Sequence, residues 1–508
     1  LYKPKGATTG IEPCAIDDLD AGAKKETTVK GRVGLNKPDN KTILLNNDEG
    51  TDGFIKHAKF DCSISPIQPA QKWAEAPEDA LEFVILMSDG LIRRPCLILK
   101  NEDGIYDRVA MYESKKKVEP IAVLTLDAMT FDILDVDFKG NDRVQTVKNM
   151  CLLNLEEDGS ALEIFISSAL DISENTLWHP KSLYAEVVEN VGYPVAALNL
   201  AAKNEDELFK CMKPLWDKYC RWQSDAIQYL MKNEGYQVVF SHCHNVDAQM
   251  HSVGRHMKHR SFSKYSEDTA RRYMEAIYEQ TDEYIGSFLH LLDEGWNIFL
   301  VSDHALVCAE HEKPEFGDVS GINVGLMRDL GFTVMQKDAD GNETHEIDWS
   351  KTRAVASRAN NIYLNLKGRY EHGIVEPEDQ YELEEEIMTA LYGVRHPESG
   401  KRVIGLALRN KDVVLFGYGG DRCGDILAWT AEGYNDDHFD SITTCYGLNH
   451  TSLLPIFIAA GPGIRENLLT PRVIRQVDVV PTVAVIGGGR MPEQCEGAPV
   501  YQILDTSL

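Results

Sequence analysis

The chain has 508 residues, of which 43% are hydrophobic, so it is long enough to form two or more domains with buried cores. Its 80 acidic residues outnumber 52 basic ones, and the net charge of −28 argues against binding to a nucleic-acid polymer or an anionic membrane. The apolar stretch closest to a membrane span, Val477–Gly489, is short and contains Asp478 and Pro481, so we expect no membrane partner.

The eleven cysteines are scattered singly, with no Cys-x-x-Cys pair that would indicate a zinc ribbon or a thioredoxin-type site. An odd number of singly placed cysteines in so large a chain predicts reduced thiols, and reduced thiols indicate a cytoplasmic location. The sequence starts at Leu1 rather than at a methionine, so we expect a processed or partial product.

Residues 1–175 are predicted to form a β-rich accessory domain. Alternating apolar patterns indicate strands at Leu81–Met87, Leu91–Lys100 and Arg108–Tyr112. Asp-Gly pairs separate such segments, for example at Gly104 and Gly159, and glycine suits the positive φ of hairpin turns.

Residues 176–345 change to the pattern of an α/β core. Helical periodicity covers Glu205–Lys232 and Ser266–Leu292, and a glycine is predicted to end each helix, at Gly235 and Gly295. Short apolar runs follow at Tyr236–Phe240 and Asn297–Val301. Helices alternating with buried strands are typical of a mostly parallel central sheet flanked by helices.

The rest of the chain is predicted to form an inserted cap and the last part of the core. Residues 346–445 form the cap, with an acidic helix at Glu376–Tyr392 whose run Glu382–Glu386 is interpreted as a solvated face. Residues 446–508 return to the core with a strand at Pro455–Ala460 and a helix at Val479–Ile486.

The segment after the apolar run Tyr236–Phe240 carries the densest group of chemically reactive side chains. Five of the 15 histidines lie between His242 and His259. Asp247 and His251 are four residues apart, so they would share one side of a helix and offer an oxygen and a nitrogen to one metal ion. A purely structural Asp–His pair is the alternative.

Two further segments offer similar donors at strand ends. Asp303 and His304 follow the predicted strand Asn297–Val301, and His450 precedes the strand Pro455–Ala460. A divalent cation would compensate the polarity of these side chains, and zinc and manganese accept both donor types. The alternative for each segment by itself is a purely structural role. Asp303 and His304 would then form a hydrogen-bonded cap, and His450 would be a hydrogen-bonded structural histidine.

In their order and spacing, these segments resemble the alkaline-phosphatase superfamily, and within it the type I phosphodiesterase/nucleotide pyrophosphatase branch. The resemblance covers about residues 236 to 490, and its segments in chain order are Asp247-x-x-x-His251, Ser302-Asp303-His304, Tyr363–Arg369 with Gly373–Val375, His450 followed by Pro455–Gly463, and Val477–Thr482.

The resemblance implies an α/β core and a bimetallic hydrolase of small-molecule phosphate esters, with two divalent metal ions, zinc or alternatively manganese. Asp247, His251 and His450 match the ligands of one metal, and Asp303 with His304 match ligands of the other. His242 and His244 have no fixed place in the family pattern and are predicted to support the ligands or face the substrate, with an ordinary hydrogen-bonded role as the alternative. Arg255, in the basic cluster just beyond His251, is a further candidate of this kind, with a solvated helix end as the alternative.

One part of the family pattern is not found. The family's first core strand ends in a metal-binding aspartate, and a threonine or serine nucleophile follows at the head of a helix. Asp127 and Thr130 come closest, but Phe131–Phe138 alternates with the period of a strand rather than a helix, so we expect Asp127 in the accessory domain. The nucleophile is then expected from an N-terminal core segment that is cut away or encoded as a separate chain.

Three functions follow. The first is a hydrolase of phosphodiester or nucleotide pyrophosphate bonds. The second is a relative acting on sulfate or phosphonate esters, or a mutase, since the same metal frame serves these reactions. The third is a non-catalytic metal-binding subunit.

Overall fold

The computed structural model describes residues 41–46, 55–56, 63–87, 91–139, 142–167, 169–172, 180–195, 202, 204–253, 265–304, 307–308, 324–357, 361–421, 423–431, 442–443 and 455–505. The chain divides into two compact units. The first unit is Leu1–Thr281 with Gln336–Glu346, and the second unit is Asp282–Met335 with Ile347–Leu508. The predicted domain boundaries at 175, 345 and 445 stay predictions.

The first unit opens with a β-rich region, as the alternating patterns predicted. Its described strands are β1 (Lys41–Asn46), β2 (Ile55–Lys56), β3 (Ser63–Ile64), β4 (Gln68–Pro69), β5 (Leu81–Met87), β6 (Ile92–Lys100), β7 (Tyr106–Met111), β8 (Ala122–Thr125), β9 (Met129–Lys139), β10 (Asp142–Leu155), β11 (Ala161–Ile166) and β12 (Leu170–Asp171).

These strands form two antiparallel sheets. One has the order β2-β3-β5-β6-β7-β8 with β4 beside β5, and the other has the order β1-β11-β10-β12 with β9 beside β10. Apolar side chains from both sheets join one core, such as Ile98 and Val109 from the first and Met150 and Ile164 from the second. Gly159 turns between β10 and β11 at φ +73°, where an added Cβ would lie 2.6 Å from Leu81.

A buried ionic cluster joins the two sheets. Arg94 on β6 donates from Nε to Asp135 Oδ1 on β9 at 2.9 Å. Lys148 on β10 lies 3.5 Å from Asp135 and 3.4 Å from Asp137, and all four side chains are buried. Two positive and two negative charges thus balance inside the domain, which lowers the cost of burying each one.

Helices follow the sheets in the first unit. They are α1 (Ser182–Val191), a π-helical turn at Glu207–Met212, α2 (Lys213–Glu234), α3 (Asn245–Val253) and α4 (Glu267–Gly286, which continues to the start of the second unit). α2 ends at Gly235 in the left-handed conformation, as the glycine predicted. Leu215 of α2, Val253 of α3 and Tyr273 of α4 pack with Phe165 of β11, which places α3 over the sheet.

After α4 the chain contains short strands and three described α-helices. All of them belong to the second unit except the strands at Met335–Lys337 and Glu343–Ile347, which lie mostly in the Gln336–Glu346 segment of the first unit. These elements are β13 (Ile298–Val301), β14 (Val307–Cys308), α5 (Val324–Asp329), β15 (Met335–Lys337), β16 (Glu343–Ile347), β17 (Ala354–Ser357), β18 (Asn361–Leu364), α6 (Gln380–Gly393), β19 (Ile404–Arg409), β20 (Ile426–Thr430), β21 (Ile442–Thr443), β22 (Phe457–Ala460) and α7 (Val479–Ile486).

The largest sheet of the second unit has the order β17-β18-β20-β19, and α6 packs on it through Leu383, Ile387 and Leu391. The prediction of a solvated acidic face on this helix is wrong at Glu384, which is buried and accepts a 2.8 Å hydrogen bond from Arg409 Nε. The arginine on the neighbouring strand balances the carboxylate.

The prediction of a mostly parallel central sheet is not supported by the strand pairings of the described residues, whose ladders are all antiparallel. β13 and β22 do form near the predicted positions, but they run in opposite directions, with Val301 opposite Phe457. An apolar run indicates a buried strand without indicating its direction, which is why the pattern could not decide this.

The strand predicted at Tyr236–Phe240 is also absent, since these residues have no regular structure. Val238 and Phe240 are 59% and 62% exposed. No described strand pairs with this apolar run, so it lacks the partner that a buried strand requires. Among the described residues, no helix combines the length and apolar character needed to cross a bilayer.

Candidate functional site

Asp247 lies in the first turn of α3 and contacts a histidine just before the helix. Its Oδ2 lies 2.5 Å from Nε2 of His244. An ionised carboxylate only accepts hydrogen bonds, so Nε2 carries the hydrogen and donates it to Asp247. The predicted helical placement of this aspartate is therefore present, and the imidazole orients its carboxylate.

The loop before α3 is held against α2 by one glutamine. Gln223 Nε2 donates to the carbonyl of His242 at 2.7 Å and to Ser241 Oγ at 3.3 Å. The rings of His242 and His244 lie 5.2 Å apart. These contacts fix the backbone that carries both histidines. None of the described contacts of either ring indicates a role in substrate binding.

Two thiols lie between α2 and the loop before α3. Cys243 hydrogen-bonds Cys220 on α2, and this contact lowers the pKa of Cys243, against an opposing effect of burial. Cys220 is buried and Cys243 is half-buried. The thiol pair gives α2 and the loop a second point of contact.

His251 follows Asp247 by four residues within α3, so the two positions lie on the same side of that helix, as predicted. The side chain of His251 is outside the described residues. Arg255 and His450 are likewise outside the described residues, and their predicted roles stay predictions.

Asp303 and His304 lie in the second unit, directly after β13. Nε2 of His304 is 3.7 Å from Oδ2 of Asp303, whose side chain is 67% exposed. The Ser302 amide donates to the carbonyl of Ile456 at 3.3 Å, and the Ser302 hydroxyl donates to the carbonyl of His304 at 2.7 Å. The predicted position of this pair at a strand end is therefore confirmed.

The turn before α7 supports this strand end. Gln476 donates from Nε2 to the backbone carbonyl of Asp303. Two residues later, Asp478 is buried and accepts hydrogen bonds from the backbone amides of Arg475 and Ala498 at 3.1 and 3.0 Å. Asp478 thus anchors the turn from which Gln476 reaches the candidate site.

The donor chemistry fits a divalent metal, but the donors occur as pairs. Each pair, His244 with Asp247 and Asp303 with His304, offers the nitrogen and oxygen atoms that zinc and manganese accept. Within the part of the chain that the structure describes, no three His, Cys, Asp or Glu side chains converge as a metal-binding group. The predicted ligands belong to two separate units, and two of the five have no described side chain.

Comparison with protein families identifies the chain. The model of the family described as type I phosphodiesterase / nucleotide pyrophosphatase matches residues 173–437, which is more than half of the sequence. The chain belongs to the type I phosphodiesterase/nucleotide pyrophosphatase family. This family is part of the alkaline phosphatase superfamily, so the resemblance found in the motifs is confirmed and implies an α/β fold. We found no match among curated proteins or among solved structures.

Some of the predicted site residues lie inside the range that the phosphodiesterase family model matches, and others lie outside it. It contains both described donor pairs and His251, whereas His450 and Asp127 lie outside it. Asp127 follows β8 at φ +58° and forms an ion pair with Lys210 at 2.8 Å. The segment after Asp127 is strand β9, as predicted, rather than the helix that would carry a nucleophile.

Sequence reasoning did not single out Gln223, Gln476, Asn245 or Gln249, whose side chains hold the segments that carry the candidate ligands. Glutamine and asparagine carry no charge and form no motif, so their spacing alone gives little signal. The pair Asn245 and Gln249 was the one detectable feature, because two amides four residues apart replace apolar residues on a short helix.

Proposed function

We propose that the protein is a metal-dependent hydrolase of phosphate esters, acting on phosphodiester or nucleotide pyrophosphate bonds of small molecules. The observation that carries the proposal is the family match, because the matched range includes Asp247, His251, Asp303 and His304 in the family's order. The described pairs at the start of α3 and the end of β13 support it, since both combine carboxylate and imidazole donors.

Two divalent ions, zinc or manganese, would be held by these residues and His450. Asp247, His251 and His450 would hold one ion, and Asp303 with His304 would bind the other. The bound ions would act as Lewis acids that polarise the phosphoryl group of the ester. Supplying positive charge locally is important in a chain of net charge −28, because the substrate is itself an anion.

The neighbouring side chains of the protein would orient these ligands. His244 holds the Asp247 carboxylate through Nε2, which is the supporting arrangement expected around a metal ligand. Gln476 and Ser302 hold the backbone on either side of the Asp303 side chain. These groups bind and orient without themselves reacting.

We further propose that the nucleophile comes from a segment outside these 508 residues. In support, the described segment that comes closest to the family's opening, Ala122–Thr130, precedes the family match and leads into β9. Asp127 in that segment contacts Lys210. Without a positioned hydroxyl, a water molecule would be a less well oriented nucleophile, and the rate would be lower.

The test is hydrolysis of bis-p-nitrophenyl phosphate by the full chain after treatment with a chelator and addition of zinc or manganese. A version extended toward the native start, or a complex with the separate segment, should be far more active than the 508-residue chain. In the active form, Asp303→Asn should lose at least 100-fold in rate, whereas the matched variant Asp127→Asn should keep its rate.

The results of this assay distinguish the proposed hydrolase from the alternative functions. Equal rates with and without the additional segment would place the nucleophile inside the 508 residues. Preference for a p-nitrophenyl sulfate or phosphonate ester would favour the alternative substrate classes. Metal binding without turnover in every form would favour a non-catalytic subunit, and loss of rate in Asp127→Asn would assign that residue to the site.

A further inference from the structure

A network of buried amides lies behind α3, on the side of this helix away from positions 247 and 251. Asn245 and Gln249 are 1% and 0% exposed. Asn245 Nδ2 donates to Thr281 Oγ1 at 3.0 Å and to the carbonyl of Ile277 at 3.3 Å, both on α4. The first residue of α3 is therefore tied to α4 by directional bonds.

Gln249 is the centre of this network. Its Oε1 accepts a 2.8 Å hydrogen bond from the hydroxyl of Tyr273, and its Nε2 donates to Gln280 Oε1 at 3.0 Å and also to Asn245 Oδ1. Gln280 in turn donates to Asp217 Oδ1 of α2 at 2.6 Å. Side chains of α2, α3 and α4 thus meet at one glutamine.

The position of this network on the helix relates it to the candidate site. An α-helix turns by about 100° per residue, so positions 245 and 249 lie about 200° from positions 247 and 251. The buried amides occupy the back of α3, and the predicted ligand positions occupy the front. Whatever fixes the rotation of α3 about its axis therefore also fixes the direction of Asp247.

Whether the rotation of α3 affects metal binding depends on how accurately a metal ligand must be placed. At a radius of about 5–6 Å, a helix rotation of about 10° moves a side chain by about 1 Å. Metal–ligand distances tolerate about 0.2 Å. Apolar packing of α3 would allow small rotations at little cost, whereas hydrogen bonds from three directions to one buried amide oppose them.

We propose that Gln249 is a positioning residue, which sets the rotation of α3 and with it the direction of the Asp247 carboxylate. This inference rests on the proposed function, because it requires Asp247 to bind a metal ion. Tyr273, Gln280 and Asn245 act through Gln249 and do not touch the metal or the substrate.

The experiment measures zinc affinity and stability separately in the full chain. Zinc dissociation constants come from competition with a chromogenic chelator, and urea unfolding of the metal-free protein gives its stability. Gln249→Leu should weaken zinc binding by about tenfold, the lower end of the effect of residues that support metal ligands. Tyr273→Phe, which removes a single hydroxyl, should weaken it in the same direction by a smaller factor.

Tyr229→Phe is the matched control. It removes a hydroxyl that bonds Glu186 at 2.9 Å between α2 and α1, so it should lower stability without changing zinc affinity. If Gln249→Leu fails to fold, Tyr273→Phe decides the question. Unchanged zinc affinity in Tyr273→Phe together with reduced stability would overturn the positioning role.

Asp247→Asn separates this inference from the proposed function. If Asp247→Asn leaves zinc binding unchanged, the metal assignment itself has failed. If Asp247→Asn weakens zinc binding but Gln249→Leu and Tyr273→Phe do not, the assignment stands and only the positioning role is wrong.

Discussion

The backbone amide of Ala498 donates a 3.0 Å hydrogen bond to Oδ1 of Asp478. The amide of Arg475 donates to Oδ2 of the same carboxylate, whose side chain is 1% exposed. One buried charge therefore fastens the turn before α7 to the segment near the end of the chain. The same turn carries Gln476 to the carbonyl of Asp303.

The first prediction concerns the pH dependence of this anchor. Burial alone would raise the pKa of Asp478, but the hydrogen bonds from Ala498 and Arg475 outweigh it and lower the pKa from 3.8 to about 2. A lowered pKa stabilises the fold above the unfolded-state value, and this stabilisation is lost as the pH falls from about 4 to about 2.

Asp478→Asn should therefore lower the free energy of unfolding by about 2 kcal/mol at pH 7. Urea unfolding followed by tryptophan fluorescence should show this difference shrinking below about pH 4. Asp329→Asn, at an exposed side chain, is the control and should change little. A difference that stays constant from pH 7 to pH 2.5 would contradict the role given to the Asp478 charge.

Local sequence patterns predicted elements well wherever local chemistry determines the structure. α7 at Val479–Ile486, β5 at Leu81–Met87 and the end of α2 at Gly235 occur as predicted. Each depends on residues close in the chain: a periodic apolar pattern, an alternating one, or a glycine able to adopt positive φ.

Features that depend on distant residues were predicted less well. The direction of β13 relative to β22 is set by about 150 intervening residues, so the apolar runs alone could not decide it. The run Tyr236–Phe240 has the composition of a buried strand but no described pairing partner. The support of Asp303 by Gln476 joins residues far apart in the sequence, and glutamine gives no motif by which to find it.

The second prediction concerns the buried ionic cluster between the two sheets. Asp135→Ala removes the carboxylate that accepts from Arg94 and faces Lys148, leaving two buried positive charges against Asp137. We expect a loss of about 3–5 kcal/mol in the free energy of unfolding, as when one partner of a buried ion pair is removed. Chemical denaturation of the full chain measures it.

A double variant provides the contrast. Replacing Arg94 and Asp135 together by Met and Leu removes one charge of each sign, so it should cost less than Asp135→Ala alone. The account of a charge-balanced cluster would be wrong if the double variant were the less stable of the two.

The third prediction concerns the thiol pair at the loop before α3. Cys243 is half-buried, and the hydrogen bond from Cys220 lowers its pKa, whereas burial raises the pKa of Cys96 and of Cys211. Cys243 should therefore react with iodoacetamide faster than these two buried thiols. Peptide mass spectrometry after timed labelling at pH 7 measures the rates.

Cys220→Ala tests the cause of this reactivity. Without the Cys220 thiol the pKa of Cys243 should rise, and its labelling should slow, while the half-buried Cys495 keeps its rate as an internal control. Unchanged labelling of Cys243 in Cys220→Ala would show that exposure alone sets its reactivity.

The most direct test of the central claim is the metal content of the purified full chain, measured by atomic emission after loading with zinc and removal of free metal. The account predicts up to two equivalents for the unsubstituted chain and about one fewer in His251→Ala, and likewise in the double variant Asp303→Asn with His304→Ala. His372→Ala, an exposed histidine outside the predicted ligand set, should bind as much zinc as the unsubstituted chain. Equal metal content in all of these proteins would contradict the assignment of the metal ligands.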